Sequence, residues 1–174
     1  MKNIHVVLLI ASFTIIIDSF AQSKQPAWEK LNMLAGEWVA QGAGQPGQGE
    51  GSFSFQYDLD KKVMVRKNIS EYPATGDKPA IAHKDLMVIY AGSTEEIVKA
   101  IYFDNEGHII NYSINFPDGD KTIQFVSDPL QNTPRFRLTY SFSDNEVINI
   151  NFEIAPSGTE NFKSYVKGSA NRKK

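Results

Sequence analysis

Several stretches of this chain alternate polar and apolar residues with a period of two. Residues 52–58 place Phe53, Phe55 and Tyr57 between polar neighbours, and residues 108–116 put Ile110, Tyr112, Ile114 and Phe116 on one face. Residues 135–142 do the same with Phe136, Leu138, Tyr140 and Phe142, and residues 147–154 with Ile148, Ile150, Phe152 and Ile154. Successive side chains of a strand point to opposite faces, so this pattern predicts antiparallel strands buried on one side. Weaker strands are predicted at 37–41, 62–72, 83–91, 97–103, 122–127 and 162–170, separated by turns rich in Gly, Asp, Asn and Ser. The total is about ten strands, with no long helical segment between them. Neighbours joined by short turns form a meander. A meander of that size with one apolar face must stack on a second sheet or close on itself, and closure also removes exposed edges. The expected fold is therefore all-β, a closed up-and-down antiparallel barrel, with a β-sandwich as the alternative.

Two segments depart from the period of two. In residues 26–36, Trp28, Leu31, Leu34 and Ala35 fall on one face at helical spacing, with Pro26 suited to a helix start and Gly36 to its stop. So short a helix gains little from propensity and must dock its apolar face on something. At the N-terminus, a basic start at Lys2 precedes the apolar run 6–17, and the small residues Ser19 and Ala21 follow. This is the order of a secretory signal peptide cut after Ala21. The run of 12 apolar residues falls short of the ~20 that span a bilayer. Residues 1–21 are thus expected to be removed, leaving 22–174 as a single barrel domain, exported to the periplasm or secreted.

Composition narrows the chemistry. Losing residues 1–21 removes Lys2 and Asp18 and leaves the net charge at −2, which offers no basic excess for nucleic acid. The chain has no cysteine, so stability rests on packing, and thiol catalysis and cysteine-type zinc sites are excluded. The glycine-rich stretch 41–51 lacks both the Lys-Ser/Thr pair and the following helix of a phosphate loop, and reads as a hairpin loop. No Gly-x-Ser-x-Gly elbow occurs. His83 and His108 read as exposed strand-end residues with no carboxylate spaced to complete a metal site. The carboxylate pairs Asp58/Asp60, Glu95/Glu96 and Asp118/Asp120 fall in turns, and the sequons at Asn68 and Asn111 fall within strands. Arg137 alternates with Phe136 and Leu138 and is expected to face solvent, whereas Arg66 stands out as a charge within an apolar run.

Leu31, Leu34, Gly36 and Trp38 form a Leu-x-x-Leu-x-Gly-x-Trp opening. This resembles the start of lipocalin-like (calycin) barrels, where a short helix leads into a Gly-x-Trp strand and a late arginine packs over the tryptophan. The resemblance implies that Trp38 and Arg172 close the barrel. Segments 100–112, 125–128, 134–140 and 162–165 make the chain similar to a group of exported bacterial lipocalin-like proteins, which implies a fold and a location but no set activity. A more distant likeness is to nitrobindin-type barrels, whose haem is held by a histidine on a late strand. Residues 162–170 contain no histidine, so no haem or other cofactor is expected.

The functional expectation is a non-catalytic barrel binding a small apolar or amphipathic ligand. The candidate ligand-binding residues are Arg66, Tyr102, Tyr112, Phe125, Tyr140 and Tyr165, since such pockets combine an apolar wall with a few polar anchors. The alternatives are an enzyme with a Tyr/Arg/carboxylate site at the barrel mouth, which a buried carboxylate beside His83 or Arg66 would favour, and an envelope protein-interaction module.

Overall fold

A computed structural model describes residues 27–41, 50–74, 79–92, 97–119 and 121–174. The expected export segment, the core of the glycine-rich stretch and Glu95/Glu96 lie outside these residues. The described chain forms ten strands: β1 (Gly36–Gln41), β2 (Glu50–Asp58), β3 (Val63–Tyr72), β4 (Ile81–Ala91), β5 (Val98–Asp104), β6 (Ile109–Asn115), β7 (Thr122–Ser127), β8 (Arg135–Phe142), β9 (Val147–Ala155) and β10 (Lys163–Arg172). Each pairs antiparallel with its sequence neighbour, and β1 pairs with β10 through Trp38 opposite Arg172, which closes the barrel. Closure excludes the sandwich and leaves no unpaired edge. The architecture is consistent with a lipocalin-like fold.

The period-two pattern sorts the side chains as the strands require. Trp38, Phe53, Phe55, Met64, Met87, Ile89, Val98, Tyr112, Ile123, Phe125, Tyr140 and Ile148 point inward and are buried. They form one core in which rings meet edge to face, as in Phe55–Tyr140 at 5.6 Å and Phe125–Tyr140 at 5.9 Å between centroids. Offset and edge-to-face contacts suit the ring quadrupole and add to the burial of the rings themselves.

The two ends of the barrel differ. The connections β2–β3, β4–β5, β6–β7 and β8–β9 lie at one end, together with the segment that enters β1. The helix expected over 26–36 is a single 3₁₀ turn, Glu29–Met33, closed by Leu31 N–H to Trp28 O at 3.2 Å and Leu34 N–H to Leu31 O at 2.9 Å. With so few residues the tighter i+3 turn is enough to dock the apolar side chains. Leu31 and Leu34 are fully buried, Trp28 packs on Tyr57, and Lys30 lies over Phe116. Arg172 stacks on Trp38 at 4.2 Å and donates to the carbonyls of Ala35 (2.5 Å), Met33 (3.0 Å) and Asn145 (2.8 Å). The indole of Trp38 donates back to Leu34 O at 2.9 Å. Gly36 makes the approach possible: its φ is +123°, and a Cβ there would sit 2.8 Å from Arg172 Nη1. This end is plugged. The opposite end carries the connections β1–β2, β3–β4, β5–β6, β7–β8 and β9–β10.

Candidate functional site

Several inward-facing residues toward the end opposite the plug are partly exposed. Asn68, His83, Tyr102, Ile110, Phe136 and Phe152 are among them, while Asp85 and Ser127 stay buried. The unplugged end is the mouth of the barrel.

Strands β3, β4 and β5 supply a polar arc to that mouth. Their register sets Asn68 opposite Asp85 and Asp85 opposite Asp104, so two carboxylates stand side by side on the inner face. Like charges placed so are unfavourable unless partners offset them. Arg66 pairs with Asp85, whose side chain is 3 % exposed, and Asn68 Nδ2 donates to Asp85 Oδ2 at 2.8 Å. The Tyr102 hydroxyl donates to Asp104 Oδ2 at 3.2 Å. The backbone N–H groups of Glu106 (3.0 Å) and His108 (2.9 Å) donate to Asp104 Oδ1, and the His108 ring lies 2.8 Å from Oδ2. These donors outweigh burial and hold Asp104 below the usual carboxylate range.

His83 is not the exposed strand-end residue that the sequence suggests. Its ring turns into the mouth, with Nε2 3.1 Å from the Tyr102 hydroxyl and 3.5 Å from Asp85, and Nδ1 3.0 Å from Glu106. The Asp85 carboxylate, reinforced by Glu106 and opposed by burial, lifts the imidazole to about 9. Burial first, then the neighbouring carboxylates, pushes the Tyr102 phenol far upward, so it remains a proton donor. His108 lies at the rim, exposed, against Asp104.

Strands β8, β9 and β10 lie across the barrel from this arc and contribute an aromatic one. Phe136 and Phe152 stack at 5.9 Å with 10° between their planes, and Tyr165 meets Phe152 edge-on at 6.4 Å. Arg137 lies on the outer wall as expected but is not simply solvated. It makes two hydrogen bonds to Glu153 at 2.7 and 2.8 Å and stacks over Phe162 at 4.2 Å.

Below the two arcs is a floor of Arg66, Tyr112, Phe125 and Tyr140. Tyr112 meets Tyr102 at 6.4 Å and Phe125 at 6.3 Å, and Phe125 meets Tyr140. Arg66 sits over Phe53 at 5.7 Å. Burial opposes its charge, but Tyr140, Asp85 and Tyr102 together outweigh that and raise its affinity for the proton. Burial also raises the phenols of Tyr112 and Tyr140. Arg66 Nε and the Tyr140 hydroxyl are both buried at this floor, where the guanidinium and the phenol oxygen interact with each other.

Of the six residues singled out in the sequence, five thus share one cluster. The sixth, Tyr165, is 72 % exposed at a β10 bulge between Ser164 and Val166, touching the aromatic arc from outside the cluster. Asn68, Asp85 and Asp104 carry much of the site without having been singled out for it. Asn68 and Asp85 share their strands' inner parity with Arg66 and the buried methionines, the one signal that would have found them. Among the described residues, no group of three or more His, Asp or Glu side chains is arranged to hold a metal ion. No helix of the described residues is long and apolar enough to cross a membrane. No protein-family model matches the chain, and no curated protein matches it.

Proposed function

We propose that this protein is an exported binding barrel that takes a small amphipathic molecule at the mouth opposite its plug. One observation carries the reading: at the unplugged end a polar arc from β3–β5 stands across the barrel from an aromatic arc from β8–β10, with partly exposed side chains on both. Ligand sites of this kind combine an apolar wall with a few fixed polar groups, and barrel mouths are frequent hosts. Phe136 and Phe152 supply the wall, and Asn68, His83, Tyr102 and Arg66 the polar side. The export segment supports a compartment outside the cytoplasm, where a chain without cysteine needs no redox protection. The test is native mass spectrometry of protein purified from its own host, beside a Phe136→Trp variant titrated with apolar probes. A retained mass, or probe-dependent fluorescence at position 136, is the expected result. Bare protein together with a silent reporter would overturn the reading. A start of the recovered chain at Gln22 would bear out export.

Catalysis at the same mouth is a second reading, favoured by one observation. The buried Asp85 lies beside both Arg66 and His83, and the Tyr102 hydroxyl bridges His83 to Asp104. A protonated imidazole and a neutral phenol suit proton donation to a bound oxygen. Conversion of a bound probe that stops in His83→Gln while binding persists would establish it.

A further inference from the structure

Exposed apolar side chains gather round the unplugged end. Ile81 opens β4, Phe103 and Ile109 pair across the β5–β6 hairpin, Leu130 lies in the β7–β8 connection, and Tyr165 lies near the start of β10. All of them are between 40 % and 72 % exposed. Among the described residues, the plug end shows only Leu59 and Ile97 in this way. A lone exposed apolar side chain is ordinary, but a ring of them at one end of a fold marks a contact surface. The ring is also held in place. Asn105 ties the β5–β6 turn to β4, accepting from Lys84 N–H and donating to Ala82 O, both at 2.9 Å. Leu130 O accepts from the Thr133 hydroxyl at 3.1 Å, and the β10 bulge sets Tyr165 outward.

Charge decides what the ring meets. Exposed carboxylates stand between the apolar tips: Glu50 at the start of β2, Glu71 near the end of β3, Glu106 in the β5–β6 turn and Glu160 before β10. The exposed lysines nearby are Lys84 and Lys163. In the pairs Glu106–His83 and Glu160–Arg135 the carboxylate is the outer member, 55 % and 69 % exposed against 26 % and 17 %. The rim therefore turns mainly negative groups outward. A two-fold contact between copies at this end would bring like charges together, and an anionic lipid surface would repel them. The surface of a zwitterionic bilayer complements both features, because its ammonium groups lie outermost, above an apolar interior.

We propose that this rim docks on the surface of a zwitterionic lipid bilayer. Ile81, Phe103, Ile109, Leu130 and Tyr165 enter the boundary between headgroups and acyl chains, and the carboxylates between them meet lipid ammonium groups. Where the mouth takes an amphipathic molecule, docking sets it against the phase in which such a molecule dissolves. The test is co-sedimentation of the full mature chain with vesicles of phosphatidylethanolamine and phosphatidylcholine, repeated with part of the lipid replaced by phosphatidylglycerol. The protein should bind the zwitterionic vesicles and bind less as phosphatidylglycerol is added. Leu130→Ser and Ile109→Ser should each weaken binding about ten-fold, the worth of one apolar side chain, and Leu59→Ser at the plug end should leave it unchanged. Fluorescence of Leu130→Trp should be quenched by brominated lipid. Failure to bind any vesicle, tighter binding to phosphatidylglycerol, or an equal loss in Leu59→Ser would overturn the proposal. A dimer in sedimentation velocity that Leu130→Ser dissolves would overturn it in favour of a second copy. Each of these results leaves the ligand reading standing, since no ligand enters the assay.

Discussion

Replacing Asp85 with Asn tests whether the mouth is organised by a buried ion pair. The Asp85 side chain is 3 % exposed and that of its partner Arg66 9 %, so neither charge has bulk water to fall back on. Asn keeps the shape but removes the negative charge and turns one acceptor into a donor. That new donor faces either the Arg66 guanidinium or Asn68 Nδ2, both of which already donate to this carboxylate. Breaking a buried pair from one side costs about 3–5 kcal/mol, chiefly from the charge left without a counter-ion. Against a domain stability of roughly 5–15 kcal/mol this is a large fraction. At a urea slope of about 2 kcal/mol per molar, the midpoint should fall by about 2 M. Equilibrium urea unfolding followed by tryptophan fluorescence measures it. The double change Arg66→Met with Asp85→Leu should recover most of the loss, because apolar replacement of both partners is often neutral or better. A loss below about 1 kcal/mol in Asp85→Asn would refute the reasoning, since it would mean that solvent screens the pair as it does at a surface. A double variant no better than the single one would refute the claim that the unpaired charge is the source of the cost.

Three further outcomes follow from the geometry. His83 is raised from 6.5 to about 9 in the folded chain, so its stabilising contribution is complete below pH 6.5 and lost as the pH climbs through about 9; unfolding at stepped pH should show this decline, and His83→Gln should flatten it. Arg172→Lys removes the planar stack on Trp38 and cannot reach the Met33, Ala35 and Asn145 carbonyls together, so thermal or urea unfolding should show a loss of about 2–3 kcal/mol. Leu59, Asp60 and Lys61 form a left-handed β2–β3 turn with φ of 48°, 53° and 63°, and Lys61→Gly should stabilise by about 1 kcal/mol, whereas Lys61→Val should destabilise.

The barrel was legible because period-two alternation is a local signal repeated along the chain. Residues 122–127 and 135–142 fall where they were expected, and the aromatic alternation of residues 52–58 puts Phe53 and Phe55 in the core. Arg66 was legible as a charge inside an apolar run, and Tyr102, Tyr112 and Tyr140 as inward phenols. The partners of these residues were not, because they are brought in by register. Asp85 carries no mark in the sequence, and only β3–β4 pairing sets it opposite Asn68. His83 reads as exposed until the β5–β6 turn brings Glu106 against it. Arg137 reads as solvated until β9 supplies Glu153 and the segment before β10 supplies Phe162. In each case sequence parity gives the face, and the strand pairing gives the neighbour.

The two ends of the barrel put buried polar groups to different uses. At the plug, the Arg172 guanidinium donates to three carbonyls and covers an indole, and the residues beneath it are fully buried apolar side chains. That arrangement explains itself as closure. At the mouth, Arg66, Asp85, Asp104 and His83 take charge into a barrel that Met and Phe side chains would fill at lower desolvation cost. The register places two carboxylates side by side, and Arg66, Asn68, Tyr102 and backbone N–H groups offset them. Apolar packing alone does not call for that network, and this is the reason the proposed binding site is put at the mouth rather than in the wall or the plug.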